Sequence, residues 1–122
     1  MKHILLVEDD PFLIDIYNTK LEEAGFSVQI ASDGDDVIEK LKEQKPDLLI
    51  LDIVLPHIDG WEVLSKIKST PEMEDLKVII LSNLGQKEEV EKGLELGATK
   101  YLIKAHHTPR EVVEEIKKLL KI

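Results

Sequence analysis

Apolar and polar positions alternate with two different periods along this chain, and the changes of period mark its elements. A short apolar run from His3 to Val7 reads as a strand and stops at Glu8, Asp9 and Asp10. Pro11 to Ala24 follows a helical period with Leu13, Ile14, Tyr17 and Leu21 on one face, and Gly25 stands where a helix C-cap belongs. Val28 and Ile30 flank Gln29, the alternation of a half-exposed strand at a sheet edge. After the Ser32-Asp33-Gly34 turn, Val37, Ile38 and Leu41 predict a second amphipathic helix that ends near Lys45-Pro46.

The most apolar stretch follows. In DLLILDIVLPHIDG, Asp47 to Gly60, the four aliphatic residues Leu48 to Leu51 run straight into the carboxylate of Asp52. A run that short, bounded by Pro46 behind and by Pro56 and Gly60 ahead, fits a strand buried on both faces. Trp61, Val63, Leu64 and Ile67 then mark a third helix. Val78 to Leu81 is a fourth strand ending at Ser82, and a helix from Gln86 to Leu96 closes at Gly97. That helix offers mainly Val90 and Leu94 to a core and contains Gly93, so it is expected to be the least firmly held. Tyr101 to Ile103 is a fifth strand running into Lys104. Thr108-Pro109-Arg110-Glu111 combines a capping box with proline at the first helical position, and Val112, Val113, Ile116, Leu119 and Leu120 bury one face of the last helix.

Five strands alternating with five helices imply a single α/β domain over residues 1–122, a doubly wound parallel sheet with helices on both faces and right-handed crossovers. The first and third strands are the most apolar and the second alternates. The flavodoxin-like order 2-1-3-4-5 is therefore the economical arrangement.

Composition narrows the function. No stretch approaches the roughly 20 apolar residues of a membrane helix, and the run Ile4 to Val7 is too short for a signal peptide, so a cytoplasmic domain is expected. A net charge of -9 argues against direct binding to nucleic acid or an anionic membrane. The absence of cysteine removes disulfides, thiolate metal sites and cysteine nucleophiles together.

The candidate chemistry lies where the apolar strands stop. Val7 ends at Glu8-Asp9-Asp10, Leu51 at Asp52, Leu81 at Ser82 and Ile103 at Lys104. In a parallel sheet all carboxyl ends share one edge, so carboxylates, a hydroxyl and an ammonium converge there. Any one of these residues could simply mark a strand end; the four together point to a site. Asp10, just before Pro11, is placed to cap the first helix, which leaves Glu8 and Asp9 to approach Asp52. Three neighbouring carboxylates repel one another, a conflict that a hard divalent cation such as Mg²⁺ resolves. Lys104 and Ser82 are suited to phosphoryl oxygens.

These segments carry a family resemblance. VEDD after the first strand, LLILDIVLPHIDG at the third, IILSN at the fourth and GATKYLIK at the fifth resemble the receiver domain of bacterial two-component response regulators, over essentially the whole chain. The resemblance implies that Asp52 is the phosphoacceptor and that Asp9, Asp52 and the backbone carbonyl of Val54 bind Mg²⁺, with Glu8 acting through metal-bound water. It implies that Ser82 and Lys104 bind the phosphoryl group and that Tyr101 is an aromatic switch that turns inward as the Ser82 loop closes. It further implies a stand-alone switch in a phosphorelay. A sensor histidine kinase or phosphotransfer protein would be the donor, and a protein partner would read the result. Such a protein is not an enzyme towards other substrates.

The chain departs from the family at several positions. Ala105 replaces the usual proline after Lys104, with its cis bond, which leaves either a strained loop or a different placement of the lysine. Asn83 stands where the family usually has a small residue. Val54 and Leu84, at positions that tune phosphoryl lifetime, are apolar, so slow self-dephosphorylation is expected. His106-His107 and His57 read as solvated loop histidines, and Trp61 as helix packing. Two other functions fit parts of the pattern: a receiver-like interaction module that never needs phosphate, suggested by Ala105, and a Mg²⁺-dependent phosphatase with an aspartyl intermediate.

Overall fold

The computed structural model describes residues Met1–Ile122. Its strands are β1 (His3–Val7), β2 (Ser27–Ala31), β3 (Leu48–Leu51), β4 (Val78–Ser82) and β5 (Lys100–Ile103). The helices are α1 (Pro11–Glu23), α2 (Gly34–Glu43), α3 (Gly60–Lys68), α4 (Lys87–Glu95) and α5 (Pro109–Leu120). All strand pairs are parallel, in the order β2-β1-β3-β4-β5, which makes this a flavodoxin-like doubly wound fold. An additional 3-10 turn, Lys104–His106, has no hydrophobic period to announce it and joins β5 to α5.

The sheet separates two apolar layers because successive side chains of a strand point to opposite faces. Leu5, Val7, Leu49, Leu51, Val78 and Ile80 meet Val37 and Leu41 of α2 and Val63, Leu64 and Ile67 of α3. Ile4, Leu6, Leu48, Ile50, Ile79 and Leu81 meet Tyr17 and Leu21 of α1 and Val112 and Ile116 of α5. All four residues of β3 are buried, as a central strand covered on both sides requires, whereas β2 at the edge is mostly half-buried.

The helix ends follow their caps. The Asp10 side chain accepts from the backbone N–H of Phe12 and Leu13, and Pro11 occupies the first helical position of α1. Asp33, Asp59 and Thr108 accept in the same way at α2, α3 and α5. Gly25 and Gly97 take the positive φ values of +93° and +111° that end α1 and α4, a backbone region open to glycine at little cost.

Helix α4 differs from expectation in one respect. Leu94 is 45% exposed and stays out of the core, and Gly93 is the buried position. The reason is distance. A Cβ at Gly93 would lie 2.7 Å from Cδ1 of Ile80 and 2.8 Å from Cδ2 of Tyr101, so the backbone of α4 rests directly on the sheet.

Candidate functional site

Register builds the site. Val7 pairs with Leu51, so Glu8 and Asp52 leave the sheet side by side. The ladder continues one residue past each strand: Glu8 donates its N–H to the carbonyl of Ala31 at 3.1 Å, and Asp52 donates to that of Val7 at 3.2 Å. Across β4, Ser82 pairs with Ile103, which places Lys104 one step beyond Ser82 at the same edge. Residues separated by up to 96 positions thus share one cluster.

Lys104 is its centre. Its Nζ donates to Oε1 of Glu8 at 2.5 Å and to Oδ2 of Asp52 at 2.7 Å. The side chains of Lys104, Glu8 and Asp52 are only 10%, 3% and 7% exposed, so the charges interact with little solvent between them. The second oxygen of Glu8 accepts from the N–H groups of Asp9 and Asp10, and Oδ1 of Asp52 accepts from the N–H of Val54 at 3.2 Å. Burial raises the Glu8 carboxyl above its ordinary range, against the lowering pull of Lys104. For Lys104 burial alone would lower the pKa, but its bonds to Asp52 and Glu8 outweigh that and hold it above the usual value.

Asp9 completes the acid set. Oxygens of Glu8, Asp9 and Asp52 lie within 4.8 Å of one another, and Asp9 is exposed where the other two are buried. With all groups ionised, three carboxylates and the one ammonium of Lys104 leave two negative charges, the complement of a hard divalent cation. Oxygen donors, charge balance and one solvent-facing carboxylate together fit such an ion.

Ser82 is fully buried at the end of β4, and its Oγ accepts from the N–H of Leu84 at 3.3 Å. Tyr101 lies inward, half-buried beneath α4, with its hydroxyl donating to the carbonyl of Leu84. Its pKa is pushed up to about 12, chiefly by burial and further by Glu89 and Asp52. One tyrosine is thereby tied to the loop that begins at Ser82.

The departures noted in the sequence have a structural outcome. No peptide bond is cis, and the 3-10 turn from Lys104 to His106 still delivers the lysine to Glu8 and Asp52. Asn83 is exposed and Val54 is 60% exposed at the mouth, while Leu84 is half-buried. His57, at φ +67°, and His106 are exposed and stand outside the cluster. Sequence reasoning missed the Leu84 carbonyl as the partner of Tyr101, because a backbone acceptor leaves no mark in residue identity.

Fold and site together define a doubly wound α/β protein with an acid-and-lysine centre at the carboxyl edge of its sheet. The chain belongs to the response regulator receiver domain family, whose sequence profile matches residues 4–117. It is 38% identical over 122 residues to the alkaline phosphatase synthesis transcriptional regulatory protein PhoP of Bacillus subtilis, a match that covers 98% of this chain and 49% of PhoP. The chain spans about half the length of curated relatives of this kind. Among solved structures, the phosphorylated cyanobacterial phytochrome response regulator RcpA superposes with a TM-score of 0.89 at 28% identity, covering 97% of this chain and 92% of RcpA. The Mn(2+)-bound form of the response regulator Rcp1 gives 0.87 at 28% identity, covering 98% and 94%. No helix is long and apolar enough to cross a membrane.

Proposed function

We propose that this receiver domain accepts a phosphoryl group on Asp52 from the phosphohistidine of a sensor kinase or phosphotransfer protein, and so switches a surface for a protein partner. The supporting observation is the placement of Asp52. A fully buried strand delivers its carboxylate to an open sheet edge, with Lys104 at 2.7 Å and Glu8 and Asp9 alongside. In the transfer, the P–N bond to the donor imidazole breaks, a P–O bond to Asp52 forms, and the imidazole leaves with the electron pair. Lys104, already bonded to Asp52, neutralises charge on the phosphoryl oxygens, and the Ser82 hydroxyl supplies a hydrogen bond.

Asp9, Asp52 and the Val54 carbonyl would hold Mg²⁺, with Glu8 contacting it through water. When bound, the ion adds positive charge against the phosphoryl oxygens. The relatives solved in a Mn(2+)-bound form and in a phosphorylated form support both parts of this reading. Val54 and Leu84 carry no group that could orient an attacking water, which supports a long-lived acyl phosphate. The domain then promotes only its own phosphorylation and dephosphorylation. The reading puts it in the cytoplasm, where ATP charges sensor kinases.

Tyr101 and the Ser82 loop are the moving parts. The acyl phosphate favours the arrangement in which Ser82 turns to the phosphoryl group, which biases the Tyr101–Leu84 contact and α4.

Intact mass after incubation with acetyl phosphate and Mg²⁺ tests the reading. One phosphoryl addition is expected in the wild type, and none in Asp52→Asn or with chelator present. A folded, Mg²⁺-binding protein that gains no mass from acetyl phosphate or from a phosphohistidine donor is instead a phosphate-independent module. Steady hydrolysis of phosphate esters without accumulated phosphoprotein marks a phosphatase.

A further inference from the structure

The loop between β3 and α3 borders the acid cluster, and two glycines, each the first residue of a helix, fix its path. Val54 donates its N–H to Oδ1 of Asp52 at 3.2 Å, so the loop sets how that carboxylate is turned. At the far end Gly60 closes the loop on itself. Its N–H donates to the carbonyl of Ile53 at 2.8 Å, and a Cβ there would lie 2.5 Å from Cα of Ile53 and 2.6 Å from the carbonyl oxygen of Asp52. Between these ends His57 takes φ +67°, a left-handed conformation that a non-glycine residue keeps where its surroundings impose it.

The outer side of the loop rests on α2. Ile58 is half-buried against the core, and Gly34, buried at the first position of α2, comes very close to it. A Cβ at Gly34 would lie 2.3 Å from the carbonyl oxygen of Ile58 and 2.6 Å from its Cβ. One of those neighbours is backbone, so no change of rotamer makes room. The start of α2 is itself fixed. Asp33 caps it by accepting from the N–H of Asp36 at 2.9 Å, and Val37 and Leu41 hold the helix in the core. A methyl group at position 34 must therefore displace the loop by several tenths of an ångström.

We infer that Gly34 is a positioning residue for the metal edge of the site: the bare backbone of α2 seats Ile58 and so holds Val54 and Asp52 at the spacing a small divalent cation requires. The inference rests on the reading of Asp9, Asp52 and the Val54 carbonyl as Mg²⁺ ligands. Mg²⁺ demands near-ideal octahedral geometry with ligands at about 2.0–2.1 Å, so it responds to displacements that a loop otherwise absorbs. Disturbing the groups that support metal ligands weakens affinity about 10–100-fold.

The test compares the wild type with three variants. Gly34→Ala pushes the loop, and Ile58→Ala leaves the α2 backbone intact but removes the side chain that anchors the loop beside it. Leu41→Val is a core change two turns further along the same helix. Mg²⁺ affinity is read by titration calorimetry, the Val54 amide by hydrogen exchange without the ion, and stability by urea unfolding. Gly34→Ala is expected to weaken Mg²⁺ binding about ten-fold, and Ile58→Ala by less, about three-fold, each with faster Val54 exchange. Leu41→Val loses stability and keeps the wild-type Mg²⁺ affinity and Val54 exchange. A folded Gly34→Ala that binds Mg²⁺ within about two-fold of the wild type overturns the inference, as does a Leu41→Val that weakens binding as much as Ile58→Ala. If Gly34→Ala does not fold, Ile58→Ala decides, and wild-type affinity in that variant overturns the inference. A wild type that binds no Mg²⁺ refutes the metal reading and the positioning role with it. Val54 exchange then still shows whether Gly34 holds the loop.

Discussion

Replacing Lys104 by Met removes the one positive charge from a buried acid cluster while keeping most of the side-chain volume. The ammonium lies 2.5 Å from Glu8 and 2.7 Å from Asp52, with all three side chains at or below 10% exposure. Removing one member of a buried ion pair costs about 3–5 kcal/mol, because the remaining charge is left without compensation. Protonation of a carboxyl offers partial relief, so the lower end of the range, about 3 kcal/mol, is expected at pH 7. At about 2.1 cal/mol/K of unfolding entropy per residue, this 122-residue chain loses about 12 °C in Tm. The sign with pH follows from Glu8, whose folded pKa is raised by burial. A raised carboxyl pKa contributes stability that is fully present below the unfolded value and is lost as pH rises through the folded one. Without Lys104 that elevation grows, so the gap between variant and wild type narrows as pH falls from about 7 towards 5. Urea unfolding at several pH values measures it. A variant within about 1 kcal/mol of the wild type at pH 7 would refute the buried-pair reasoning, as would a gap that does not change with pH.

Three further outcomes follow from other parts of the fold. Asp10→Ala leaves the N–H groups of Phe12 and Leu13 uncapped and should cost about 1 kcal/mol in urea unfolding, with Asp10→Asn recovering most of it. Tyr101, pushed up to about 12, and Tyr17, also raised by burial, should give no tyrosinate absorbance in the native protein near the ordinary tyrosine pKa of about 10. The folded state then binds more protons than the unfolded state between about 10 and 12, so stability falls as pH rises through that window, and Tyr101→Phe should flatten the fall. Lys68→Met should lose about 1 kcal/mol, read by thermal unfolding, because the Lys68 Nζ donates to the carbonyls of Leu76 at 2.7 Å and Glu74 at 3.1 Å in the loop before β4.

The fold was legible because its determinants are local or periodic. Leu48 to Leu51 is apolar without alternation, and its shortness between Pro46 and Pro56 suits a strand covered on both faces. Asp10-Pro11 and Thr108-Pro109 mark helix starts because a cap and a proline act within one turn. The acid and lysine set was legible for a topological reason. Parallel strands share one carboxyl edge, so Glu8, Asp52, Ser82 and Lys104 had to converge once the order was known.

Tertiary structure decided what depends on distance between distant segments. Ala105 could not reveal whether Lys104 would reach the acids; the 3-10 turn and the pairing of Ser82 with Ile103 bring it there. Gly93 looked like a weakness in a poorly apolar helix, and only the approach of Ile80 and Tyr101 shows why a side chain is excluded. The Nζ of Lys92 lies 4.6 Å from the ring centroid of Trp61, 31 positions away on another helix, and neither periodicity nor composition pairs them. Hydrophobic period fixes which face of an element turns inward, and caps fix where it starts. Contacts between elements depend on how closely those faces pack, and that is settled only by the shapes of all the side chains between them.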